Sequence, residues 1–289
     1  MALIVGNNKK NKLPGTAGND VILGLGGNDV LLGKGGNDVM KGGAGNDILE
    51  GGTGKDKLFG GNGNDLLTGG DGADRLNGGD GFDVADYSKS PTAVFVSLAT
   101  LLSNGAGGFL PLAADGSNSA SGHAQGDVLI SIEGLIGSAN GDDLIGGNGA
   151  NGIAGGAGAD EIFGLAGNDI LIGGEGNDTF FYLNATDSLV GSGRRDIIAD
   201  FVQGQDKINL SVIDAHLNQA GDQAFNFIGT AAVGSKALPD VRFDVIDLPG
   251  VDGDRTIIQG EFGGDNDTDI DFEIELLGLV NLSASDFVL

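Results

Sequence analysis

Cysteine and tryptophan are absent from this 289-residue chain, and proline and basic residues are scarce. Without cysteine there is neither a disulfide-stapled domain nor a thiol nucleophile. Fifteen basic residues against 41 acidic ones give a net charge of −26, which excludes the cationic face that nucleic-acid binding needs. Five prolines and no Gly-X-Y register exclude collagen. The longest apolar run, 93–102, is interrupted by Ser97 and Thr100 and is too short to span a bilayer.

The amino-terminal residues do not resemble a secretory leader. Met1 to Val5 is a short apolar stretch, and the first lysines, Lys9 and Lys10, follow it instead of preceding it. A signal peptide has its basic residues first and a longer apolar core. We therefore expect no cleaved amino-terminal signal peptide.

Glycine and aspartate are abundant: the chain has 57 Gly, and its acidic residues are 34 Asp and only seven Glu. A purely solubilising acidic surface would scatter Asp and Glu along the chain. Here Asp dominates and recurs at a fixed spacing, which indicates a requirement for counter-cations.

The chain contains two blocks of nonapeptides, eight in the first and five in the second. In the first block every unit has Gly at positions 1 and 4, Asp at position 6 and an apolar residue at position 8. The second block follows the same plan with more departures. The units begin at Gly15, Gly24, Gly33, Gly42, Gly51, Gly60, Gly69 and Gly78, then at Gly137, Gly146, Gly155, Gly164 and Gly173.

This spacing predicts a solenoid. Positions 7 to 9 suit a three-residue strand whose middle side chain points inward, and the glycines allow the positive φ angles of a tight turn. One strand cannot bury a core alone, so neighbouring units must stack. With two units per coil, the strands form two parallel sheets around a thin double row of apolar side chains.

The same stacking places the position-6 carboxylates of units n and n+2 about 4.8 Å apart, the strand spacing. At an effective dielectric constant near 20, each such pair costs on the order of 3 kcal/mol. Carboxylate and carbonyl oxygens are the ligands that Ca²⁺ prefers, and neither His nor Cys stands in the units to favour a softer metal. The pattern therefore predicts ladders of calcium ions.

The unit resembles the GGxGxDxUx nonapeptide of the RTX (hemolysin-type calcium-binding) family. The resemblance implies an all-β, right-handed parallel β-roll (solenoid) in two repeat blocks with a β-rich C-terminal cap. It also implies that Asp side chains and loop carbonyls hold each ion between stacked turns. By position, the implied calcium ligands are Asp20, Asp29, Asp38, Asp47, Asp56, Asp65, Asp74, Asp83, Asp142, Asp160, Asp169 and Asp178. Asn151 departs from the pattern, and Thr16, Leu25 and Lys34 stand where later units have Gly at position 2.

The region from Asp142 to the end of the chain resembles the carboxy-terminal part of the serralysin family. This resemblance implies a cap on the roll and an uncleaved signal, ending in Asp286 to Leu289, that a type I secretion system reads. Together the patterns predict five segments: an amino-terminal lead (1–14), the first roll block (15–87), a β-rich insert or cap (88–136), the second roll block (137–182) and the serralysin-like cap with its secretion signal (183–289).

No catalytic motif is present. Serralysins are zinc proteases, whose H-E-x-x-H motif and further ligand require three histidines. This chain has two, His123 and His216, which we expect in exposed loops or at strand ends, and it has no G-x-S-x-G elbow. A second acidic stretch, from Asp265 to Asp271, has the carboxylate spacing of a calcium loop but lacks the Gly and the closing Glu of an EF-hand.

The sequence therefore predicts a secreted, non-catalytic calcium-binding RTX protein that binds about nine Ca²⁺ and folds on binding them, after type I export. We expect it to act at a cell or host surface or in the extracellular matrix. One alternative is a membrane-active or pore-forming protein with the stand-alone layout of nodulation protein O. Another is a glycan-binding accessory module like those attached to alginate epimerases. The partners expected are calcium ions, the type I machinery and a cell-surface, glycan or membrane target, with no nucleic acid.

Overall fold

The computed structural model describes residues 1–99, 122–215, 223–231, 239–247, 253–263 and 269–289. These residues form β-strands, turns and three short 3₁₀ helices. The chain divides into two compact units, Met1–Gly146 and Gly147–Leu289. The predicted all-β parallel roll is confirmed. No helix among the described residues is both long and apolar enough for a membrane span.

The first unit winds its strands alternately into two parallel sheets. The strands of the first sheet are β1 (Leu3–Val5), β3 (Val21–Gly26), β5 (Val39–Ala44), β7 (Lys57–Asn62), β9 (Arg75–Asp80) and β12 (Val128–Ile130). Those of the second sheet are β2 (Lys12–Pro14), β4 (Val30–Gly35), β6 (Ile48–Thr53), β8 (Leu66–Asp71), β10 (Val84–Asp86) and β13 (Gly134–Ile136). Strand β11 (Phe95–Ser97) pairs parallel with β14 (Asp143–Ile145), and a 3₁₀ helix covers Gly122–Ala124.

The register confirms two nonapeptides per coil. Ile22 lies beside Met40, and Met40 lies beside Leu58, so equivalent residues are 18 apart in the chain. The eight position-8 side chains of the first block have no solvent exposure; they are Ile22, Leu31, Met40, Leu49, Leu58, Leu67, Leu76 and Ala85. Each buried Leu, Ile or Met stabilises the fold by about 1.5–3 kcal/mol. The core is the thin double row that the spacing predicts.

The strands of the first block are longer than predicted, because they continue through the turn into the next unit. Strand β3 runs from position 7 of one unit to position 3 of the next, six residues instead of three. Position 2 turns the chain with a positive φ, 118° at Gly43. A Cβ on Gly43 would lie 2.2 Å from the carbonyl oxygen of Leu25. Glycine thus lets the turns themselves stack closely enough to pair.

The segment after the first block continues both sheets. Strand β12 pairs with β9, placing Leu129 beside Leu76, and β13 pairs with β10, placing Leu135 beside Ala85. Leu135 is completely buried. These two strands therefore add a further coil to the core of the first unit.

The second unit combines a short roll with a β-rich carboxy-terminal part. Its first parallel set is β15 (Gly152–Gly158), β17 (Ile170–Gly176), β19 (Asp196–Ile198) and β24 (Phe272–Leu277), and its second is β16 (Glu161–Phe163), β18 (Thr179–Phe181), β20 (Lys207–Asn209) and β25 (Phe287–Val288). Strand β23 (Arg255–Glu261) pairs antiparallel with β24 and with β22 (Asp240–Ile246), and β21 (Asn226–Gly229) pairs parallel with β22. Two 3₁₀ helices cover Ala185–Asp187 and Ala284–Asp286.

The end of the chain is part of the fold. Phe287 lies beside Ile208 in the β20–β25 pair, and Asp286 is completely buried. The Asp286 carboxylate accepts hydrogen bonds from the backbone N–H groups of Gly204 (3.0 Å) and Ser283 (2.7 Å). The acidic residue of the tail is therefore a structural acceptor.

Two units of the first block place non-glycine residues at the turn position that requires a positive φ, 81° at Leu25 and 79° at Lys34. An L-residue in this region is strained by about 1–2 kcal/mol. We expect Lys34→Gly to raise the free energy of unfolding by about 0.5–1 kcal/mol, because relief of strain exceeds the entropy lost by glycine. Urea unfolding at saturating calcium measures the change.

The matched control is Lys57→Gly. Lys57 is also an exposed strand lysine, but its φ lies outside the left-handed region. Glycine there should lower the free energy of unfolding by about 0.5–1 kcal/mol. Destabilisation of both variants to the same extent would contradict the assignment of strain to Lys34.

Candidate metal centre

All twelve predicted ligand aspartates lie immediately before or at the start of a strand and are buried, with at most 2% of their surface exposed. Burial follows from the repeat, because position 6 comes two residues before the inward-pointing position 8 and faces the same side. Carboxylates are almost never buried without a partner.

In each ladder aspartate of the first block, one carboxylate oxygen accepts a hydrogen bond from a backbone N–H of the preceding coil. Asp38 Oδ1 accepts from the N–H of Asp20 at 2.6 Å, and Asp56 Oδ1 accepts from Asp38 at 2.7 Å. Two such ladders run through the first unit. One contains Asp20, Asp38, Asp56 and Asp74, and the other contains Asp29, Asp47, Asp65 and Asp83.

The other carboxylate oxygen, Oδ2, is buried and has no hydrogen-bond partner in most units. This holds for Asp29, Asp38, Asp47, Asp56, Asp65, Asp74, Asp83, Asp169 and Asp178. An unsatisfied buried acceptor costs about 1–3 kcal/mol, and more when it is charged. Such oxygens, repeated along a ladder, fit the requirements of a hard cation such as Ca²⁺.

Glycine at position 1 brings further oxygens to the same place. A Cβ on Gly24 would lie 2.4 Å from Asp29 Oδ2 and 2.5 Å from the carbonyl oxygen of Gly42. Carboxylate and carbonyl oxygens thus converge on a backbone that has no side chain. Among the described residues, no three His, Cys, Asp or Glu side chains come together as a metal cluster. The donors that fit calcium here are stacked carboxylates together with carbonyls.

Asp20 and Asp142, the first aspartates of the two blocks, differ from the rest. Asp20 Oδ2 accepts from the backbone N–H (2.7 Å) and the hydroxyl (2.8 Å) of Thr16. Asp142 Oδ2 accepts from the backbone N–H of Ser138, whose hydroxyl donates to Oδ1 at 2.9 Å. In both blocks a hydroxyl residue at position 2 supplies a protein donor at the start of the ladder.

Asn151 occupies the ladder position in the second unit although it has an amide where the other units have a carboxylate. Its N–H donates to Asp169 Oδ1 at 2.8 Å, and its own side-chain oxygen accepts from the N–H of Gly147 at 2.7 Å. In the parallel ladder, the N–H of Asp160 donates to Asp178 Oδ1 at 3.0 Å. The backbone of Asn151 therefore continues the ladder, and its amide oxygen accepts from its own unit without adding a negative charge.

Four further acidic residues, absent from the sequence prediction, extend the ladders. Asp127 accepts from the N–H of Asp74 (2.7 Å), and Glu133 accepts from that of Asp83 (2.9 Å). In the second unit, Asp196 accepts from Asp169 (2.8 Å) and Asp206 from Asp178 (3.0 Å). The sequence does contain a signal for them, since each stands two residues before a buried apolar residue; these are Leu129, Leu135, Ile198 and Ile208.

Burial is the main electrostatic feature of the ladders, ahead of the like-charge repulsion that the sequence suggests. Desolvation raises the pKa values of Asp56, Asp65 and Asp74 to about 6, and backbone hydrogen bonds partly oppose this. Neighbouring carboxylates raise the pKa values further as a smaller cause. At Asp20 the hydrogen bonds from Ala2 and Thr16 dominate and lower the pKa.

The remaining candidates are the second acidic stretch and the two histidines. Asp265, Asp267 and His216 lie outside the described residues. In the same acidic stretch, Asp269 is exposed and Asp271 accepts from the backbone N–H of Phe262 at 2.7 Å. We expect His123 to be exposed from the sequence, but the structure shows it partly buried. It lies in a 3₁₀ helix, with Nε2 3.0 Å from a carboxylate oxygen of Asp71.

The fold and its stacked acidic turns define a parallel β-roll built for calcium. Residues 14–49 and 50–85 each match the RTX calcium-binding nonapeptide repeat model of four copies. Residues 130–289, more than half of the chain, match the Peptidase M10 serralysin C terminal model. The chain belongs to this serralysin C-terminal family and carries RTX calcium-binding repeats.

Two curated relatives share this region. Serralysin of Photorhabdus luminescens is 45% identical over 162 residues, which is 55% of this chain and 30% of the relative. Serralysin of Photorhabdus laumondii is 46% identical over 162 residues, with 55% and 31% covered. The chain thus spans less than a third of the length of these relatives, and the matched segments do not include a protease catalytic domain.

Two solved structures are also similar. The AlgE6R3 subunit of the Azotobacter vinelandii mannuronan C5-epimerase is 30% identical, with 52% of this chain and 78% of that chain covered and a TM-score of 0.26. The extracellular lipase LipA of Serratia marcescens is 18% identical, with 90% and 40% covered and a TM-score of 0.26.

The raised pKa values predict that acid favours the calcium-free fold. A carboxyl whose pKa is raised by folding binds its proton more tightly in the folded chain, so protonation stabilises the fold. For Asp56, Asp65 and Asp74 this stabilisation is fully present below the ordinary pKa of 3.8 and is lost as the pH rises through about 6. We expect the strand signal of metal-free protein in circular dichroism to increase between pH 7 and pH 4.

The calcium-loaded protein is the control for this experiment. Protons compete with calcium for the same oxygens, so its stability should fall over the same pH range. A metal-free chain that loses strand signal on acidification would contradict the assignment of buried, proton-binding carboxyls.

Proposed function

We propose that this chain is a non-catalytic, secreted calcium-binding RTX protein whose repeats fold when calcium binds. The observation that supports it most is the row of buried Oδ2 oxygens without hydrogen-bond partners. A fold that buries such oxygens at nine-residue intervals needs a cation to offset their desolvation. In such a protein, the free energy of metal binding becomes free energy of folding.

The proposed ligands are the twelve predicted aspartates together with loop carbonyl oxygens. Within each block, Oδ2 is the carboxylate oxygen available to an ion. At Asp20 and Asp142 this oxygen already accepts from Thr16 and Ser138, which leaves these two a smaller part in metal binding. Ions between units n and n+2 would number about nine, and would change the net charge from −26 to about −8, within the usual range for a soluble protein.

The calcium affinity links folding to location. Extracellular calcium modules bind with dissociation constants of about 0.1–1 mM. At the far lower calcium concentration of the cytosol the repeats would be unfolded, in a state suited to a narrow secretion channel. Calcium outside the cell would then bind and fold the repeats. We propose that the folded chain acts at a cell or host surface or in the matrix.

Asp56→Asn tests the role of the ladder. Asp56 is buried, accepts from Asp38 and has a free Oδ2, so we expect the substitution to remove at least one ion and to raise the calcium midpoint of folding several-fold. Asp80→Asn is the matched control, because Asp80 is an exposed aspartate of the same block. Circular dichroism during calcium titration measures both midpoints, and equal midpoints would contradict the role of Asp56.

Export tests the carboxy-terminal signal. If a type I system reads the unfolded tail, deletion of 286–289 should trap the chain in the cytoplasm, and deletion of the first twelve residues should not. The tail also packs in the fold, so Ile208→Ala is the matched control: it removes the neighbour of Phe287 and leaves the signal intact. Fractionation of secreting cells measures all three. Retention of Ile208→Ala, or normal export without the tail, would overturn this route.

A second candidate, binding to an anionic membrane surface, is favoured by one face of the first sheet. The side chains at positions 7 and 9, on either side of the buried position-8 residues, include Lys41, Lys57, Phe59 and Arg75. None of the residues at these two positions in the described strands of this sheet is acidic. Lys57 lies directly beside Arg75, and Lys41 Nζ lies 5.7 Å from the Phe59 ring centre. Cationic and apolar side chains on one surface suit anionic headgroups.

We expect Lys57→Gln with Arg75→Gln to weaken binding to phosphatidylserine vesicles in calcium several-fold, as measured by co-sedimentation. Lys9→Gln with Lys10→Gln is the control with the same charge change in another part of the unit. Equal binding by both variants would contradict a role for this face. Binding to an anionic polysaccharide and not to vesicles would instead favour the glycan-binding alternative.

A further inference from the structure

Each repeat block ends with a tyrosine where the pattern requires glycine. In every other unit, the residue four positions after the ladder aspartate is the next position-1 Gly. After Asp83 that residue is Tyr87, and after Asp178 it is Tyr182. Both tyrosines are buried, with 2% of their surface exposed.

Position 1 lies directly against the ladder. In the preceding unit, a Cβ on Gly78 would lie 2.3 Å from Asp83 Oδ2. A side chain that starts from this position is therefore directed into the ladder or must move away from it. Tyrosine adds a ring and a hydroxyl group at the one turn of each block that no further nonapeptide follows.

The Tyr87 hydroxyl bonds to the next carboxylate of the ladder. It donates to Asp127 Oδ2 at 3.1 Å, and Asp127 Oδ1 accepts from the N–H of Asp74 at 2.7 Å. Both oxygens of Asp127 thus have protein donors. Asp65 is equally buried and accepts the same backbone bond at 2.7 Å, but its Oδ2 has no hydrogen-bond partner.

Tyr182 occupies the corresponding place in the second block. The Tyr182 hydroxyl and Asp196 Oδ2 are both buried without a hydrogen-bond partner, so the second block repeats the position of the tyrosine but not the Tyr87 contact. Asp196, like Asp127, accepts from the backbone of the last ladder residue, here Asp169. Together with Thr16 and Ser138 at the starts, hydroxyl residues thus lie at both ends of both blocks.

We propose that Tyr87 ends a calcium ladder: its phenol hydroxyl takes the carboxylate oxygen that an ion would use, so Asp127 is a ladder residue that binds no calcium. The inference rests on the proposed calcium function of the repeats. Its physical basis is that a buried carboxylate needs either a cation or a donor, and a repeat array needs an end that is satisfied by the protein itself.

The test uses the full chain and counts the calcium ions linked to folding. The free energy of unfolding in urea is measured against the logarithm of calcium concentration, since the slope gives the number of ions taken up. Asp127→Asn should keep the wild-type slope. The matched variant Asp65→Asn, which alters a carboxylate with the same burial and backbone bond, should reduce the slope by at least one ion.

A reduced slope in Asp127→Asn, with normal calcium dependence of the wild type, overturns this inference alone. A wild-type chain without calcium dependence overturns the proposed function as well. If Asp127→Asn does not fold, crystals of the wild-type chain grown in calcium decide the matter by anomalous scattering. Peaks beside Asp56 and Asp65 and none beside Asp127 support the inference, and a peak beside Asp127 overturns it.

Discussion

Every nonapeptide of the first block buries one apolar side chain and one carboxylate, and this pairing is the constraint on which the rest of the structure depends. A buried Leu stabilises the fold by about 1.5–3 kcal/mol, and an unsatisfied carboxylate oxygen destabilises it by about 1–3 kcal/mol or more. The two effects are of similar size in the units from Asp29 to Asp74, whose position-8 residues are Leu or Met. A roll with so narrow a core therefore depends on whatever binds the Oδ2 oxygens, and calcium fits their chemistry.

The same constraint explains the glycines and the departures from them. Position 1 must be Gly in the interior because Asp Oδ2 and a carbonyl oxygen lie within about 2.5 Å of where a Cβ would be, as at Gly24. Where hydroxyl residues enter the pattern, as Thr16 and Tyr87 do, they donate to a ladder carboxylate. Where Leu25 and Lys34 replace Gly at position 2, the backbone keeps the same positive φ and is strained.

Much of this could be predicted from sequence, because a strict nine-residue period fixes which side chains share a face. The period predicted the register of 18 residues, the buried row from Ile22 to Ala85 and the stacking of Asp20 to Asp83 in ladders, but not the burial of these carboxylates. The period did not predict Asp127 and Glu133, because the ladders continue into an insert of irregular length. The signal left there is an acidic residue two positions before an apolar one. Strand length was also underestimated, since pairing of the turns depends on how closely glycine backbones approach across coils.

The carboxy-terminal part was the least predictable from composition. Its tail has an acidic residue before three apolar ones, but Asp286 is buried, and its carboxylate accepts hydrogen bonds from the nearby Ser283 and from Gly204, 82 residues away. Arg195 likewise forms buried ion pairs of 2.7 Å with Glu273 and Glu275, about 80 residues away. Such contacts depend on tertiary packing, which no local period encodes.

If calcium on the buried carboxylates holds the roll together, the metal-free chain should fold as it takes up calcium. Calorimetric titration with calcium, followed in parallel by circular dichroism, tests this most directly. We expect uptake of about nine ions, with the strand signal appearing as they bind. Uptake of only one or two ions, or the same strand content in excess chelator as in calcium, would contradict it.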